Sequence, residues 1–361
     1  MKWLVVDDTS LYRKILNDVL STFPEVTEIQ TAPNGSVALR KAMAFRPDAI
    51  TLDYEMPDMN GLEVLHKLQK LGIKSEYIMI SAHTPQGAAI AIDAMDLGAI
   101  DAIAKPEGRN IEQNIQSLKS QLIPIMAAVK TRLTINGAKF QAQSAPQKQQ
   151  LQQLQNYAKI HTVAGKSKRP KIIAIGASTG GPKALTTVLT QLPQSLDVPV
   201  VITIHMPRAF TGQLADTLNK KCEVNVVEAQ NGMKLEKGVV HIAPGGEQMR
   251  VAPGSIVGTH IIELTDDPPE HNCKPSVDYL FRSVAKEYGA AAIGVILTGM
   301  GYDGVAGMKL MKLQGASTIA QNEETCVVFG MPAKAIEDGI VDHIMPIDTL
   351  HTKILKVMNG Q

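Results

Sequence analysis

Five times within the first 112 residues a short apolar run gives way to an amphipathic segment, and that alternation leaves few folds open. Lys2 to Asp7, Glu28 to Ala32, Ala49 to Asp53, Tyr77 to Ser81 and Asp101 to Ala104 read as strands. Segments near 11–22, 35–45, 61–70, 86–97 and 110–130 read as helices. Recurring βα units imply a parallel sheet with helices on both faces, because parallel neighbours need a crossover and the crossover is usually a helix. A second series begins at Lys171: Lys171 to Ile175, Val198 to Ile204 and Ala291 to Leu297 read as buried strands, with a helix opened by Pro182. Gly238 to Ala243 and Arg250 to Val257 read as short strands or a hairpin at the edge of that sheet. The expected class is α/β: an N-terminal (βα)5 unit, then a doubly wound, mostly parallel α/β unit. In such sheets ligands bind beyond the carboxyl ends of the strands, so function is sought at the residues that end them.

The join between the units shows in the charge. The 361 residues suit two domains at roughly 150 residues each, and their formal charge is +1. Residues 1–112 carry 11 basic and 16 acidic side chains, 113–196 carry 11 basic and none acidic, and 197–361 carry 14 and 19. The middle block includes a stretch from Gln141 to Gln155 in which eight of fifteen residues are Gln, then a basic, Gly- and Pro-punctuated run from Gly165 to Pro170. That composition is a linker's. The expected division is 1–125, a linker over 126–169, and 170–358. A nearly neutral whole argues against a nucleic-acid coat, and no apolar stretch reaches the roughly 18 residues of a membrane span. Asp7 and Asp8 interrupt the place where a secretory signal needs its apolar core. Cys222, Cys273 and Cys326 lack metal-like spacing and suit free thiols in a reducing cytoplasm.

At the first set of strand ends stand Asp7 and Asp8, Asp53, Ser81 and, just after the fifth strand, Lys105. Carboxylates gathered on one rim repel unless a cation holds them, and a hard, oxygen-ligated divalent ion such as Mg²⁺ meets that need. A lysine and a hydroxyl facing the same point suit a transferred phosphoryl group. Through VVDD, LDYEMPDMNG, Ser81-Ala82 and LGAIDAIAKP, residues 1–125 resemble a response-regulator receiver domain. The resemblance implies that Asp53 is the phosphoacceptor and that Asp8, Asp53 and the Glu55 carbonyl ligate Mg²⁺. It further implies that Asp7 holds the ion through water, and that Lys105 and Ser81 contact the phosphoryl oxygens. One position departs from the pattern: Ala102 stands where many receivers carry Tyr or Phe, so the aromatic part of their switch is absent.

The strand from Lys171 ends in Gly176-Ala177-Ser178-Thr179-Gly180-Gly181, followed by Pro182. A serine among small residues between strand and helix can expose its hydroxyl on a sharp turn, with backbone N–H groups facing an anion. A nucleotide-binding turn is the rival reading, but the glycine spacing is not G-x-G-x-x-G, and the next strand ends in His205 rather than an acid. The strand Ala291 to Leu297 runs into Thr298-Gly299-Met300-Gly301-Tyr302-Asp303-Gly304, and Asp303 is the residue able to orient His205. The chain order Ser, His, Asp differs from that of the familiar hydrolase folds, so the triad rests on strand-end placement alone.

The motifs GASTGGPKAL, IHMP, HIAPGG, KPSVDYLF and LTGMGYDG, with the region from Gln321 to Pro346, resemble the catalytic domain of the chemotaxis protein-glutamate methylesterases (CheB type) over 170–358. The resemblance implies Ser178 as nucleophile, His205 as base and Asp303 as its orienter. Backbone N–H groups near Thr179 and at Met300 would hold the oxyanion, with no cofactor at this second site. It implies methyl-accepting chemoreceptors as substrates, demethylation and glutamine deamidation as reactions, and a chemotaxis histidine kinase as phosphodonor. In the family the unphosphorylated receiver covers the active site and phosphorylation raises activity. A monomer in the cytoplasm is expected, without nucleic acid or membrane insertion. A receiver joined to a DNA-binding output would need a basic C-terminal module, whereas residues 197–361 carry a net −5.

Overall fold

The computed structural model describes residues 1–82, 84–106, 110–139 and 169–360. The chain divides into two compact units, Met1–Gly137 and Ala138–Gln361. The Gln-rich segment 141–155 lies outside the described residues, as does the basic run as far as residue 168.

The first unit contains β1 (Lys2–Val6), α1 (Ser10–Leu20), β2 (Glu28–Ala32), α2 (Gly35–Phe45), β3 (Ala49–Asp53), α3 (Gly61–Lys70), β4 (Glu76–Ser81), α4 (Pro85–Asp96), β5 (Asp101–Ala104) and α5 (Ile111–Lys139). Its sheet runs β2-β1-β3-β4-β5 with every pair parallel. Strands β3 and β4 are buried throughout, as expected where helices cover both faces. Leu4, Val6, Ile50, Leu52 and Met79 meet Val64, Leu65 and Leu68 of α3 in the core. Asn34, Asn60 and Thr84 cap α2, α3 and α4 by accepting from Val37, Glu63 and Gly87. Helix α5 continues well past the expected end near residue 130, and Ile125, Met126, Ala128 and Val129 are buried along it.

The second unit contains β6 (Ile172–Ala177), α6 (Gly181–Leu189), β7 (Val200–Ile204), α7 (Arg208–Lys221), β8 (Asn225–Glu228), β9 (Val239–Ile242), β10 (Gln248–Pro253), β11 (His260–Thr265), α8 (Val277–Tyr288), β12 (Ala292–Ile296), α9 (Val305–Leu313), β13 (Ser317–Gln321), α10 (Met331–Glu337), β14 (His343–Met345) and α11 (Ile347–Met358). A parallel sheet runs β14-β13-β12-β6-β7-β9-β8. The strand expected at an edge, β9, instead lies inside it, between β7 and β8, because Val240 and Ile242 bury their side chains there. Strands β10 and β11 form a separate antiparallel hairpin, tied to α8 where Val251 N–H donates to Ser283 Oγ at 3.0 Å. The core gathers Ile172, Ala174, Val277, Leu280, Phe281, Ile296, Met308 and Met311. Full burial of a Leu or Phe side chain contributes roughly 1.5–3 kcal/mol.

Two glycines set how closely α8 approaches the sheet. A Cβ on Gly176, near the end of β6, would stand 2.2 Å from Val277 Cγ1, and one on Gly304, at φ +92°, would stand 2.5 Å from the same atom. The first residue of α8 is thus seated between the end of β6 and the start of α9.

Candidate active site and candidate phosphoacceptor site

In the first unit Asp7 follows β1, Asp53 closes β3 and Lys105 follows β5. Lys105 Nζ donates to Asp53 Oδ2 at 2.7 Å and lies 3.0 Å from Asp7 Oδ2. Asp7 and Asp53 are buried. Burial, then the neighbouring Asp7 charge, push Asp53 up to about 7 against the pull of Lys105. Burial works against the Lys105 ammonium, but Asp53 and Asp7 outweigh it and raise its pKa. Asp7 Oδ1 accepts from Thr9 N–H at 2.8 Å, while Oδ2 has the Lys105 ion pair but no aligned hydrogen bond.

Asp7, Asp8 and Asp53 each offer an oxygen within 4.8 Å of the others. One lysine leaves this group short of positive charge, and an all-oxygen donor set of that kind fits a hard divalent cation. Ser81 closes β4 with its hydroxyl turned to the Ala82 carbonyl, 3.2 Å away. Glu55 is exposed in the loop after β3. The sequence reading did not single out Tyr12, whose ring lies 4.7 Å from Lys105 Nζ and whose hydroxyl donates to the Pro106 carbonyl at 3.1 Å. Its place in the first turn of α1 is the one sequence signal for this.

In the second unit the register of β6 and β7 sets Ala177 opposite Ile204. Ser178 and His205 are therefore the next residues beyond two adjacent strand ends, and His205 N–H donates to the Ala177 carbonyl at 3.1 Å. Asp303 arrives from the loop after β12, and its Oδ2 stands 2.7 Å from His205 Nε2. Asp303 is held by the N-terminus of α8: Oδ2 also accepts from Val277 N–H at 2.7 Å, and Oδ1 from Ser276 Oγ at 2.8 Å and Asp278 N–H at 3.0 Å. Helix N-termini favour negative charge at such positions.

Burial opposes charge on both partners, yet their contact prevails. His205 is pushed up to about 9 by Asp303 and by the facing Cys273. Asp303 is held below the usual carboxylate range by His205 and by the Asp278 and Val277 N–H groups. The pair is thus an imidazolium and a carboxylate at neutral pH.

The structure brings His205 and Asp303 together and leaves Ser178 unjoined. Among the described residues the Ser178 hydroxyl makes no hydrogen bond, and His205 Nδ1 faces Cys273 Sγ at 3.6 Å. Catalytic hydrogen bonds commonly tighten only around substrate. The turn itself is firm: Ser178 N–H donates to the Thr298 carbonyl at 3.0 Å, and Gly181 N–H to the Ser178 carbonyl at 2.6 Å. Thr298 Oγ1 donates to the Thr179 carbonyl at 3.0 Å and accepts from Val328 N–H at 3.0 Å. Thr298 N–H in turn donates to Gln321 Oε1 at 2.8 Å. Two loops thereby share one hydroxyl, and β13 holds the same residue through its backbone N–H. The N–H groups of Thr179 and Met300 are not taken up by any hydrogen bond among the described residues, which leaves both able to face an oxyanion. Ser276, Thr298 and Gln321 were not singled out by sequence reading, which took Cys273 for a free thiol without a site role; only Ser276 had a local signal, as the cap of α8.

Such an arrangement can carry acyl transfer in the second unit and bind a cation beside a buried carboxylate in the first. No described helix is long and apolar enough to cross a membrane. The family model for CheB methylesterase matches residues 173–354, and that for the response regulator receiver domain matches residues 3–116. A protein-glutamate methylesterase/protein-glutamine glutaminase of Desulfotalea psychrophila is 40% identical, covering 98% of each chain. One of Salmonella typhimurium is 39% identical over 99% of this chain and 97% of its own. The crystal structure of the Thermotoga maritima CheB methylesterase catalytic domain matches with TM-score 0.51 and 37% identity, covering 53% of this chain and 99% of that one. With a receiver match ahead of an esterase match and relatives similar along nearly its whole length, this chain belongs to the CheB family of protein-glutamate methylesterases/protein-glutamine glutaminases.

Proposed function

We propose that this chain demethylates glutamate methyl esters, and deamidates specific glutamines, on methyl-accepting chemoreceptors, under control of phosphorylation at Asp53. The observation that carries the esterase reading is the 2.7 Å contact of His205 with Asp303, one residue beyond the strand register that sets Ser178 beside His205. Ser178 Oγ attacks the side-chain carbonyl carbon, and its proton passes to neutral His205 at Nδ1, the nitrogen Asp303 leaves free. The oxyanion is held by the Thr179 and Met300 N–H groups, each such donor being worth about 3 kcal/mol. Collapse expels methanol, which takes the proton from His205. Water, deprotonated by the same ring, then releases glutamate and restores Ser178. With a glutamine substrate the leaving group is ammonia.

In the receiver, Asp53 Oδ takes the phosphoryl group from a chemotaxis histidine kinase, and Lys105 and Ser81 contact its oxygens. Asp7, Asp8, Asp53 and the Glu55 carbonyl would hold Mg²⁺, which supplies charge neutralisation at the transferring group when bound. The unphosphorylated receiver restrains the esterase. The protein acts as a monomer in the cytoplasm.

Methanol release from methylated receptor membranes tests this reading, with and without a small phosphodonor. Wild type should release methanol, faster with the phosphodonor, and Ser178→Ala should release none. A fragment from Lys166 onward should outpace the resting full-length chain; equal rates would overturn the restraint. If salt slows the reaction on receptors more steeply than hydrolysis of a small ester, the basic segment 113–196 draws the enzyme to acidic receptors. Matching salt curves would make that segment a plain tether.

A further inference from the structure

Cys273 lies in the loop before α8, partly buried, with Sγ 3.6 Å from His205 Nδ1. The hydrolysis described above has no use for its thiol. We propose that Cys273 and His205 form a binding site for a thiophilic divalent cation of the zinc class, whose occupation silences the esterase.

The geometry suits the ion. With Zn–S about 2.3 Å and Zn–N about 2.05 Å at a tetrahedral angle, the two ligand atoms stand ~3.6 Å apart, and the observed separation is 3.6 Å. Asp303 supplies the second requirement, because a ligating histidine usually gives its other N–H to a carboxylate, which fixes the ring and raises its basicity. Asp303 Oδ2 occupies that position, 2.7 Å from Nε2, and turns the opposite nitrogen toward Cys273. Cys273, His205 and Asp303 offer ligand atoms within 4.8 Å of one another. The donor set also discriminates: thiolate with imidazole selects zinc-class ions over Mg²⁺, whereas the receiver's carboxylates suit Mg²⁺.

Binding is balanced without any redox partner. The Cys273 thiol and His205 Nδ1–H each give a proton to solvent, Sγ and Nδ1 then each donate an electron pair to the cation, and water completes the coordination. Cys273 Sγ also gives up its 3.5 Å contact with the His271 carbonyl. Silencing, unlike binding, rests on the reading of Nδ1 as the atom that takes the Ser178 proton.

Cobalt(II) titrated into the full-length protein tests the site by a readout independent of hydrolysis. Wild type and Cys222→Ala should show a near-ultraviolet thiolate-to-cobalt charge-transfer band saturating at one equivalent and removed by added zinc. Cys273→Ala should lack it. Zinc should inhibit methanol release by wild type at a concentration at least about ten-fold lower than it needs with Cys273→Ala. A missing band in wild type, or one that persists in Cys273→Ala, overturns the site. A Cys273-dependent band without zinc inhibition leaves the site standing and overturns the assignment of Nδ1 as the base.

Discussion

His205 Nε2 faces Asp303 Oδ2 at 2.7 Å, and the same carboxylate is held by the N-terminus of α8. The charged ring is therefore the resting form: His205 is pushed up to about 9, and only its neutral form can take a proton from Ser178. Hydrolysis should rise with pH through that value. Asp303→Asn should lower kcat by about 10⁴-fold while leaving the fold intact, as removal of an orienting carboxylate does elsewhere. It should also move the remaining rise to lower pH, because the partner that holds the proton is gone. The pH profile of kcat/KM on a small ester checks both, and an unchanged midpoint in Asp303→Asn would remove Asp303 from the role.

Gly176→Ala asks for space that Val277 already fills, 2.2 Å from the new Cβ. Overpacking of this kind costs typically 1–3 kcal/mol. The displaced Val277 N–H should weaken its bond to Asp303, so kcat should fall together with stability. Adding Val277→Ala returns the space, and the double variant should be more stable than Gly176→Ala alone. Thermal unfolding of the three variants decides the matter, and additive losses would show the contact to be irrelevant.

His241 in β9 is buried, with neither ring nitrogen hydrogen-bonded. Burial lowers it from 6.5 to about 4, so the folded chain keeps it neutral while the unfolded chain takes up a proton. The sign follows: stability is complete above the unfolded value and falls as pH drops from about 6.5 through about 4, by ~3 kcal/mol in all. His241→Leu should stabilise the second unit, and by more at pH 5 than at pH 7. A difference in melting temperature independent of pH would refute the account.

At the receiver rim, a divalent cation should relieve the crowding that raises Asp53 to about 7. Mg²⁺ at a hundred times its Kd should stabilise the folded receiver by ~2.7 kcal/mol. Asp53→Asn removes both a ligand and a source of repulsion. That variant should melt higher than wild type in chelator and gain less from added Mg²⁺. Differential scanning calorimetry with and without Mg²⁺ would show it.

The sheets were legible because their strands are short, apolar and closed by polar residues, and the helices because their apolar stripes repeat. Strand β9 reads as an edge element because its glycine and proline neighbours carry the signature of an exposed hairpin, and its pairing with β7 on one side and β8 on the other reveals it as interior. The triad candidates could be found as strand-end residues. Their supports could not. Ser276, Cys273 and Gln321 stand 27, 68 and 23 residues from Asp303, His205 and Thr298, the residues they serve, and no local period marks them. Tyr12 lies 94 residues from the carbonyl to which its hydroxyl donates. Such contacts arise only when the sheet has chosen its strand order.

The seating of Val277 between Gly176 and Gly304 has a mechanical meaning. The turn that presents Ser178 and the loop that presents Asp303 lean on one isopropyl group, so the tip of α8 acts as a common mount for two members of the proposed triad. A tilt of that helix cannot carry one along without disturbing the other, which makes its first turn a single point from which catalysis can be tuned.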